Sequence, residues 1–510
     1  MKRSTIALLA ALAISAPSAA LGQRPSIPSI PQSLSLRDAV EMAVRYSPTY
    51  RQAANDHGPA AWGVRNAFAS FLPSLSLSGG AGYTGAGSQN LFGGFTYELP
   101  SGSVGSSYSL QLSMQLNGQT FMQPGLALAQ LRAADATAES SEINLESAVR
   151  QQYLAVLRAQ AQADAAAVQV TRNEEFQRLA QARYDVGQNT MLDVRQAEVT
   201  LGQARVALLQ AEQLVTVEKL RLFQQMGVPS PGDPTGVVLS DTFPIVQPEW
   251  ELATLLADAE ESNPDLLALR ARQSSAAANE RAVKSNWLPS FSLRAGWSGY
   301  TQQYTDPSWY VDQQVAGAAA STASDLEVCN FRNDVINGLG LSYTPIDCAT
   351  AIEPWTPERE AALREWYDDQ QSVFPFNFTR QPFSASVGFS FPLFTQFSRP
   401  MQISQASAQA EDAKEFVRAR ELDVRTAVTQ AYYGMLAAHE TIEIQEQNQT
   451  AASEGLRLAT ERYRVGSGTF FELLDAQLAA QNAERDYINA IYSYHQAIAT
   501  LEAAVGRPLR

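Results

Sequence analysis

The sequence predicts a mixed α+β membrane protein with an internal two-fold repeat, in which four short amphipathic strands combine with long helices. Three observations support this fold class. Motifs of the first half recur in the second half, and four segments alternate apolar and polar residues. In addition, two stretches of roughly 60 residues have a helix-forming composition with almost no glycine or proline.

The repeat is visible as paired motifs at constant spacing. Leu72-Pro73-Ser74-Leu75 recurs 216 positions later as Leu288-Pro289-Ser290-Phe291, and Tyr184-Asp185-Val186-Gly187 recurs 279 positions later as Tyr463-Arg464-Val465-Gly466. The spacing grows once, by 63 residues, which indicates one insertion into the second copy of a duplicated unit. The predicted division is a first repeat over 23–229, a linker over 230–249, and a second repeat over 250–510 with an insert at 301–381.

Residues 1–22 are predicted to be a secretory signal peptide. Lys2 and Arg3 precede an apolar run, and Ser18-Ala19-Ala20 provides a small-residue cleavage site. The apolar run is too short for a membrane anchor. Removing the signal takes the formal charge from -15 to -17, which argues against nucleic acid as a partner.

Both cysteines, Cys329 and Cys348, fall inside the insert. In an exported protein we expect them to form a disulfide, although two free thiols are the alternative. The three histidines are scattered along the chain, so no metal site and no cofactor is expected. The aromatic residues of the insert either pack into a small lid or lie in a mobile loop.

Four segments alternate with period two, and each has the length of a tilted transmembrane strand. One face of each segment is apolar and the other is small and polar, which fits lipid outside and water inside. A soluble, half-buried sheet shows the same alternation and is the alternative. The four segments are Ser74–Tyr83, Tyr108–Leu116, Ser290–Trp297 and Phe383–Phe391.

Four strands are too few to close a membrane barrel, because each unpaired peptide group in lipid costs several kcal/mol. The chain is therefore expected to share its barrel with copies of itself, eight strands in a dimer or twelve in a trimer. The strand pairs are expected over 74–116 and 290–394. Turn-like segments are expected at 85–105 and 301–381, and the second is expected on the outside.

The remaining segments are predicted to be helical. Rods over 124–183 and 400–462 have the length of coiled coils, and return helices over 191–226 and 470–505 complete hairpins over 124–226 and 400–506. Glycine and threonine in 186–190 and 465–469 provide a left-handed turn and a cap for the next helix. Incoming helices are predicted over 36–71 and 252–287, each ending before the strand at a Leu-Pro pair.

The two Leu-Pro-Ser-(Leu/Phe) junctions and the two hairpins together resemble the TolC-like outer-membrane efflux proteins over nearly the whole mature chain. The resembling hairpin motifs are Tyr184–Val194 and Tyr463–Ala476. The resemblance implies a homotrimer with a twelve-stranded barrel in outer-membrane lipid and a helical tunnel in the periplasm. It also implies an exit duct for efflux or type I secretion, not an enzyme. The implied partners are a periplasmic adaptor protein and an inner-membrane pump or ABC exporter.

The resemblance also implies two sets of site residues. Adaptor docking falls on the hairpin tips, at Tyr184, Val186, Gly187, Thr190, Asp193, Tyr463, Val465, Gly466 and Thr469. A periplasmic gate falls on Glu472 and Asp475, three residues apart on one helix face. The alternative for these two acids is a capping role at the start of their helix.

One family feature is altered in this sequence. Asp193 matches an acid that ties neighbouring hairpins to an arginine, but the arginine position is Gly468. Arg464, one turn away, is a candidate replacement. An alternative function, a periplasmic coiled-coil spacer with a soluble sheet, is left open. A hydrolase is not supported, because no nucleophile motif or metal-ligand spacing is present.

Overall fold

The computed structural model describes residues 30–90, 96–340 and 342–509. The predicted signal peptide, 1–22, lies outside these residues. The chain forms two compact units. The helical unit comprises the described residues up to Arg65, Pro124–Lys284 and those from Pro400 onward, and the strand unit comprises Asn66–Gln123 and Ser285–Arg399. Each unit takes segments from both predicted repeats, because strands pair with strands and helices pack on helices.

The described residues form both strands and helices. The strands are β1 (Ser33–Leu34), β2 (Ser74–Thr84), β3 (Gly87–Asn90), β4 (Thr96–Leu99), β5 (Ser103–Leu116), β6 (Val238–Leu239), β7 (Ser290–Tyr304), β8 (Thr379–Arg380) and β9 (Ser384–Ser390). The helices are α1 (Leu36–Tyr46), α2 (Pro48–Asn55), α3 (His57–Ala69), α4 (Gly118–Asp185), α5 (Met191–Met226), α6 (Leu252–Ser262), α7 (Pro264–Lys284), α8 (Ser308–Gly338), α9 (Cys348–Ala351), α10 (Pro357–Gln371), α11 (Ser398–Arg464) and α12 (Phe470–Val505).

The main sheet of the strand unit is antiparallel, in the order β2, β5, β7, with β8 and β9 both paired to β7. The register places rows of like residues side by side. Leu77, Leu110 and Trp297 share one row of the apolar face. On the opposite face the Oγ atoms of Ser78 and Ser109 are 2.7 Å apart. The sheet therefore has one mainly apolar face and one serine-rich face.

Much of the apolar face is uncovered within the single chain, although Phe378 packs on Tyr108 near one end. Leu77 is 74% exposed and Val387 is 79% exposed, values that large aliphatic side chains seldom show in a folded core. Strand β2 forms one edge of the sheet, and β8 with β9 forms the other. No helix of the described residues combines the length and apolar character needed to cross a bilayer.

The prediction of turn-like segments at 85–105 and 301–381 is wrong. The first contains the β3–β4 hairpin, and the second contains helices α8 and α10. Helix α10 has local signals for its start: Thr356 caps it, Pro357 occupies its first turn, and Glu358 and Glu360 follow. A prediction based on glycine, serine and aromatic content missed these signals.

The insert packs around aromatic residues and a disulfide. The ring of Tyr304 at the end of β7 lies 5.5 Å from that of Trp309 and 5.7 Å from that of Tyr310. Tyr310 in turn contacts Tyr367 of α10, with ring centroids 6.2 Å apart. A disulfide joins Cys329 of α8 to Cys348. The described residues of the insert thus form a packed element attached to the strand end.

The predicted continuous helices over 36–71 and 252–287 are also wrong. The first is divided into α1, α2 and α3, and the second into α6 and α7. The breaks at Ser47-Pro48 and Asn263-Pro264 have one cause, because proline lacks an N–H group and disfavours helical geometry in the residue before it. A new helix begins at each proline.

The long helices dominate the helical unit. Helix α4 has 68 residues and α11 has 67, so each is about 100 Å long. A core near α1 includes Leu34, Tyr153 and Phe223, and a second core near α6 includes Leu255 and Met435. The buried Tyr153 hydroxyl donates a hydrogen bond to the Leu34 carbonyl oxygen at 2.9 Å, and burial raises the pKa of Tyr153.

Candidate functional site at the helical hairpin tips

Two helical hairpins end in turns of the same geometry. In the α4–α5 turn, Gly187 has φ +74° and its N–H bonds the Tyr184 carbonyl oxygen at 2.9 Å. In the α11–α12 turn, Gly466 has φ +81° and its N–H bonds the Tyr463 carbonyl oxygen at 3.1 Å. Glycine suits both positions because side chains disfavour positive φ. The two turns therefore start their return helices in the same way.

Both return helices begin with a reciprocal capping box. The Thr190 hydroxyl accepts a hydrogen bond from the Asp193 N–H, and the Asp193 carboxylate accepts one from the Thr190 N–H at 3.0 Å. At the second tip, Thr469 and Glu472 form the same pair at 3.2 and 3.4 Å. Asp193 and Glu472 are thus equivalent acids that satisfy backbone donors at a helix start.

The two predicted gate acids differ in their surroundings. Glu472 takes part in the capping box, and its carboxylate lies 3.5 Å from the Arg462 guanidinium. Asp475 is exposed one turn further along α12, with no hydrogen bond or ion pair to the described part of the chain. The capping role, which was the alternative, is observed for Glu472, and the gate role stays a prediction for both acids.

The second tip has little space at Gly468. A Cβ atom placed there would lie 3.2 Å from the Glu472 carboxylate and 3.1 Å from the Arg462 Cβ. The Gly468 N–H also bonds the Arg462 carbonyl oxygen at 3.0 Å. Arg462 is the arginine that approaches Glu472, and the suggested pairing of Arg464 with Asp193 stays a prediction. The tie between neighbouring chains stays a prediction.

Tyr463 is not a surface residue, which corrects its assignment to adaptor docking. Its exposed fraction is 2%, and it packs in a tip core with Ala180, Ala197, Phe470 and Leu473. These residues come from α4, α5, α11 and α12, so the cluster lies between the two hairpins. The Tyr463 side chain therefore joins the tips and is not part of their exposed surface.

Two residues of the first hairpin hold the Tyr463 ring. The Asn189 amide group donates a hydrogen bond to the Tyr463 hydroxyl, and the Arg183 guanidinium lies 4.6 Å from the ring centroid. Burial raises the pKa of Tyr463, while the Asn189 bond and the Arg183 charge oppose the increase. Sequence reasoning missed Arg183 and Asn189, because their role depends on Tyr463 of the other hairpin. Tyr463 lies 274 positions after Asn189 in the sequence.

Apolar side chains are exposed around both turns. Val186 is 68% exposed and Val465 is 75% exposed. Leu192 and Phe471, which the sequence prediction omitted, are equivalent second residues of their helices and are also exposed. We call these residues, with two others, the tip surface: Tyr184, Val186, Met191, Leu192, Val465 and Phe471. Exposed apolar groups of this kind mark interaction sites.

Within residues 30–90, 96–340 and 342–509, no three His, Cys, Asp or Glu side chains lie together in a way that would hold a metal ion. The tips present an apolar rim next to two acids, Asp193 and Glu472, that cap the starts of α5 and α12. Such a rim suits contact with another protein.

The chain matches one family model and several solved structures. The model described as outer membrane efflux protein matches residues 39–228 and 362–507. The outer membrane protein VceC of Vibrio cholerae has 18% identity and a TM-score of 0.65, covering 93% of this chain and 97% of VceC. A membrane protein of Pseudomonas aeruginosa has 19% identity and a TM-score of 0.67, with 95% and 92% coverage. The CmeC outer membrane channel of Campylobacter jejuni has 14% identity and a TM-score of 0.67, with 92% and 85% coverage.

The contact between Tyr463 and Asn189 predicts a measurable loss when the hydroxyl is removed. In Tyr463→Phe, the tips lose one hydrogen bond worth about 1 kcal/mol, so amide exchange at 183–190 and 463–470 is expected to accelerate about fivefold. Hydrogen–deuterium exchange by mass spectrometry measures this rate. Tyr184→Phe is the matched control, because Tyr184 is exposed. Equal exchange in both variants would contradict the tie between the hairpins.

Proposed function

The chain belongs to the outer membrane efflux protein family, and from this premise we propose that three copies form a passive exit duct. The duct spans the outer membrane and its helices extend into the periplasm. Substrates pass through this passive channel, and other proteins supply the energy for transport. It is a channel and not an enzyme.

The observation that carries this function is the incomplete sheet of the strand unit. Much of its apolar face is uncovered, and β2 on one side and β8 with β9 on the other form open edges. In lipid the apolar face is stabilised, but the edges are not, since each unpaired group costs several kcal/mol. Pairing β9 of one chain with β2 of the next removes every edge.

With β8 and β9 counted as one strand beside β7, three chains supply twelve strands, the count that the family's trimers require. Strands spaced about 4.8 Å apart and tilted about 40° would close a barrel about 24 Å across between backbones. The serine-rich face then lines the lumen and the apolar face contacts lipid. A periplasmic spacer with a soluble sheet, the alternative, would leave Leu77 and Val387 in water.

The tip surface is proposed to dock a periplasmic adaptor protein. Members of this family work with adaptors and inner-membrane transporters, and the exposed apolar side chains of both tips offer a contact of matching chemistry. Gly187, Gly466, Thr190, Thr469 and Asp193 support this surface by shaping the turns and caps. The transporter is either a proton-driven pump or an ABC exporter.

Glu472 and Asp475 are proposed to ring the periplasmic mouth. Threefold repetition would place carboxylates from three chains at one level, which favours cations at a constriction. Capping holds Glu472 in a fixed position, and Arg462 offsets part of its charge. Asp475 lies one turn further along α12 and has no ion pair with the described residues.

The two repeats, 23–229 and 250–510, are proposed to derive from one unit, since both supply a hairpin with the same turn and capping box.

A direct test is assembly and conductance of the mature protein. We expect extraction from membranes only with detergent, an oligomer of three chains that dissociates on heating, and stepwise currents in a planar bilayer. The reason is that only the closed sheet satisfies its edges in lipid. A stable, water-soluble monomer without bilayer affinity would overturn the proposal.

The gate is tested by neutralising both acids in Glu472→Gln/Asp475→Asn. Glutamine retains the capping hydrogen bond, so the variant changes charge and not the helix start. Single-channel conductance is expected to rise and cation preference to fall. The control is Glu443→Gln, an exposed acid in the middle of α11. Unchanged conductance and selectivity in the double variant would end the gate assignment.

Docking is tested with Val465→Asp, which places a charge on the most exposed side chain of the tip surface. Binding of the adaptor is expected to weaken at least tenfold, or about 1.4 kcal/mol, because the carboxylate must lose water at the interface. In-cell cross-linking to the adaptor measures the loss. Val206→Asp, at an exposed position in the middle of α5, serves as the control. Equal cross-linking of the two variants would contradict the docking assignment.

A further inference from the structure

The serine-rich face of the sheet carries a single charged side chain among the described strand residues, Arg294 of β7. The register pairs Arg294 with Ser113 of β5 on one side and with Ser386 of β9 on the other. Its neighbours along β7 on the same face are Ser292 and Gly296. A long cationic side chain therefore stands among small neutral ones.

The surrounding hydroxyl groups do not neutralise Arg294. The Ser113 Oγ lies 2.9 Å from the Ser74 Oγ, so it is already engaged across the next strand pair. Arg294 is exposed, and it has no hydrogen bond or ion pair with any part of the chain that the structure describes. A guanidinium group stays charged at every physiological pH. Its donors are therefore available to a ligand in the space over this face.

Threefold assembly would place three copies of this group at one level. With a backbone diameter of about 24 Å, the axis lies about 12 Å from each strand, close to the Debye length of about 10 Å at 0.1 M salt. The side chains project inward, so the field of all three reaches the centre. Small neighbours leave the guanidinium groups accessible from the lumen.

We propose that Arg294 forms an anion-binding girdle in the barrel, which selects for cargo bearing carboxylate, sulfonate or phosphate groups. This inference rests on the proposed function and assigns a substrate preference to the barrel. Guanidinium groups bind such anions with paired, charge-assisted hydrogen bonds. A ring of three gives a transient site that a passing anion occupies and leaves.

The chain provides a matched control in Arg380, the arginine of β8. Arg380 pairs with Gly299, which pairs with Tyr108, so it lies on the apolar face. Replacing it removes the same charge from the same sheet without altering the serine-rich face. The test set is Arg294→Gln, Arg294→Lys and Arg380→Gln, each in the full chain. Each variant is first checked for heat-dissociable trimers, so that a folding defect is recognised.

Two readouts are taken in planar bilayers. The first is the chloride-to-potassium permeability ratio in a KCl gradient, expected to fall about threefold in Arg294→Gln because three charges leave the lumen. The second is block of the potassium current by a pyrene tetrasulfonate, expected to weaken at least tenfold in the same variant. Arg294→Lys is expected to keep most of the selectivity, and Arg380→Gln to match the wild type in both readouts.

The possible outcomes distinguish a failure of the anion-binding girdle from a failure of the proposed channel function. Wild-type currents with an unchanged permeability ratio and unchanged block in Arg294→Gln would overturn the girdle and leave the channel intact. An equal change in Arg380→Gln would also overturn it, because the effect would then not depend on the serine-rich face. Absence of any current from the wild-type trimer would overturn both.

Discussion

The structure depends on one constraint, the need of backbone N–H and C=O groups at a sheet edge to find partners where water is absent. In this chain the constraint acts on β2 and on β8 with β9, the two ends of an otherwise regular sheet. A longer chain could satisfy these groups by adding strands of its own. This chain leaves its edge groups to pair with identical chains, so the lumen forms in the assembly and not in the single polypeptide. The apolar face reinforces the arrangement, because it is stable only against lipid.

Much of the fold follows from periodicity. Alternation of period two identified β2, β5, β7 and β9 of the main sheet, but not the two-residue β8, since side chains on opposite faces meet opposite solvents. The long helices followed from composition, because alanine, glutamine and charged residues favour helix and the stretches contain few helix breakers. The insert could not be predicted in this way. Its helix α10 depends on Thr356 and Pro357, local start signals within a segment whose composition resembles a loop. The incoming helices were predicted too long because Pro48 and Pro264 were not counted as breaks.

The hairpin tips show a different limit of sequence reasoning. The turns and caps are local, so Gly187, Gly466, Thr190 and Thr469 could be assigned from their spacing. The position of Tyr463 could not, because its burial depends on contacts with Arg183 and Asn189 from the other hairpin. The same residue type at Tyr184 remains at the surface. Equivalent motifs in a duplicated chain thus serve different purposes once the copies pack against each other.

The serine-rich face has a consequence for what moves past it. Its hydroxyl groups bond to one another across strands, as between Ser74 and Ser113 and between Ser78 and Ser109. Others, such as Ser76 and Ser290, donate to backbone carbonyl oxygens of the adjacent strand. Because these hydroxyl groups already bond within the sheet, a solute without an anionic group finds few donors on this wall, and the Arg294 level is where an anion is retained. The rate at which neutral cargo passes is then set by the machinery that delivers it.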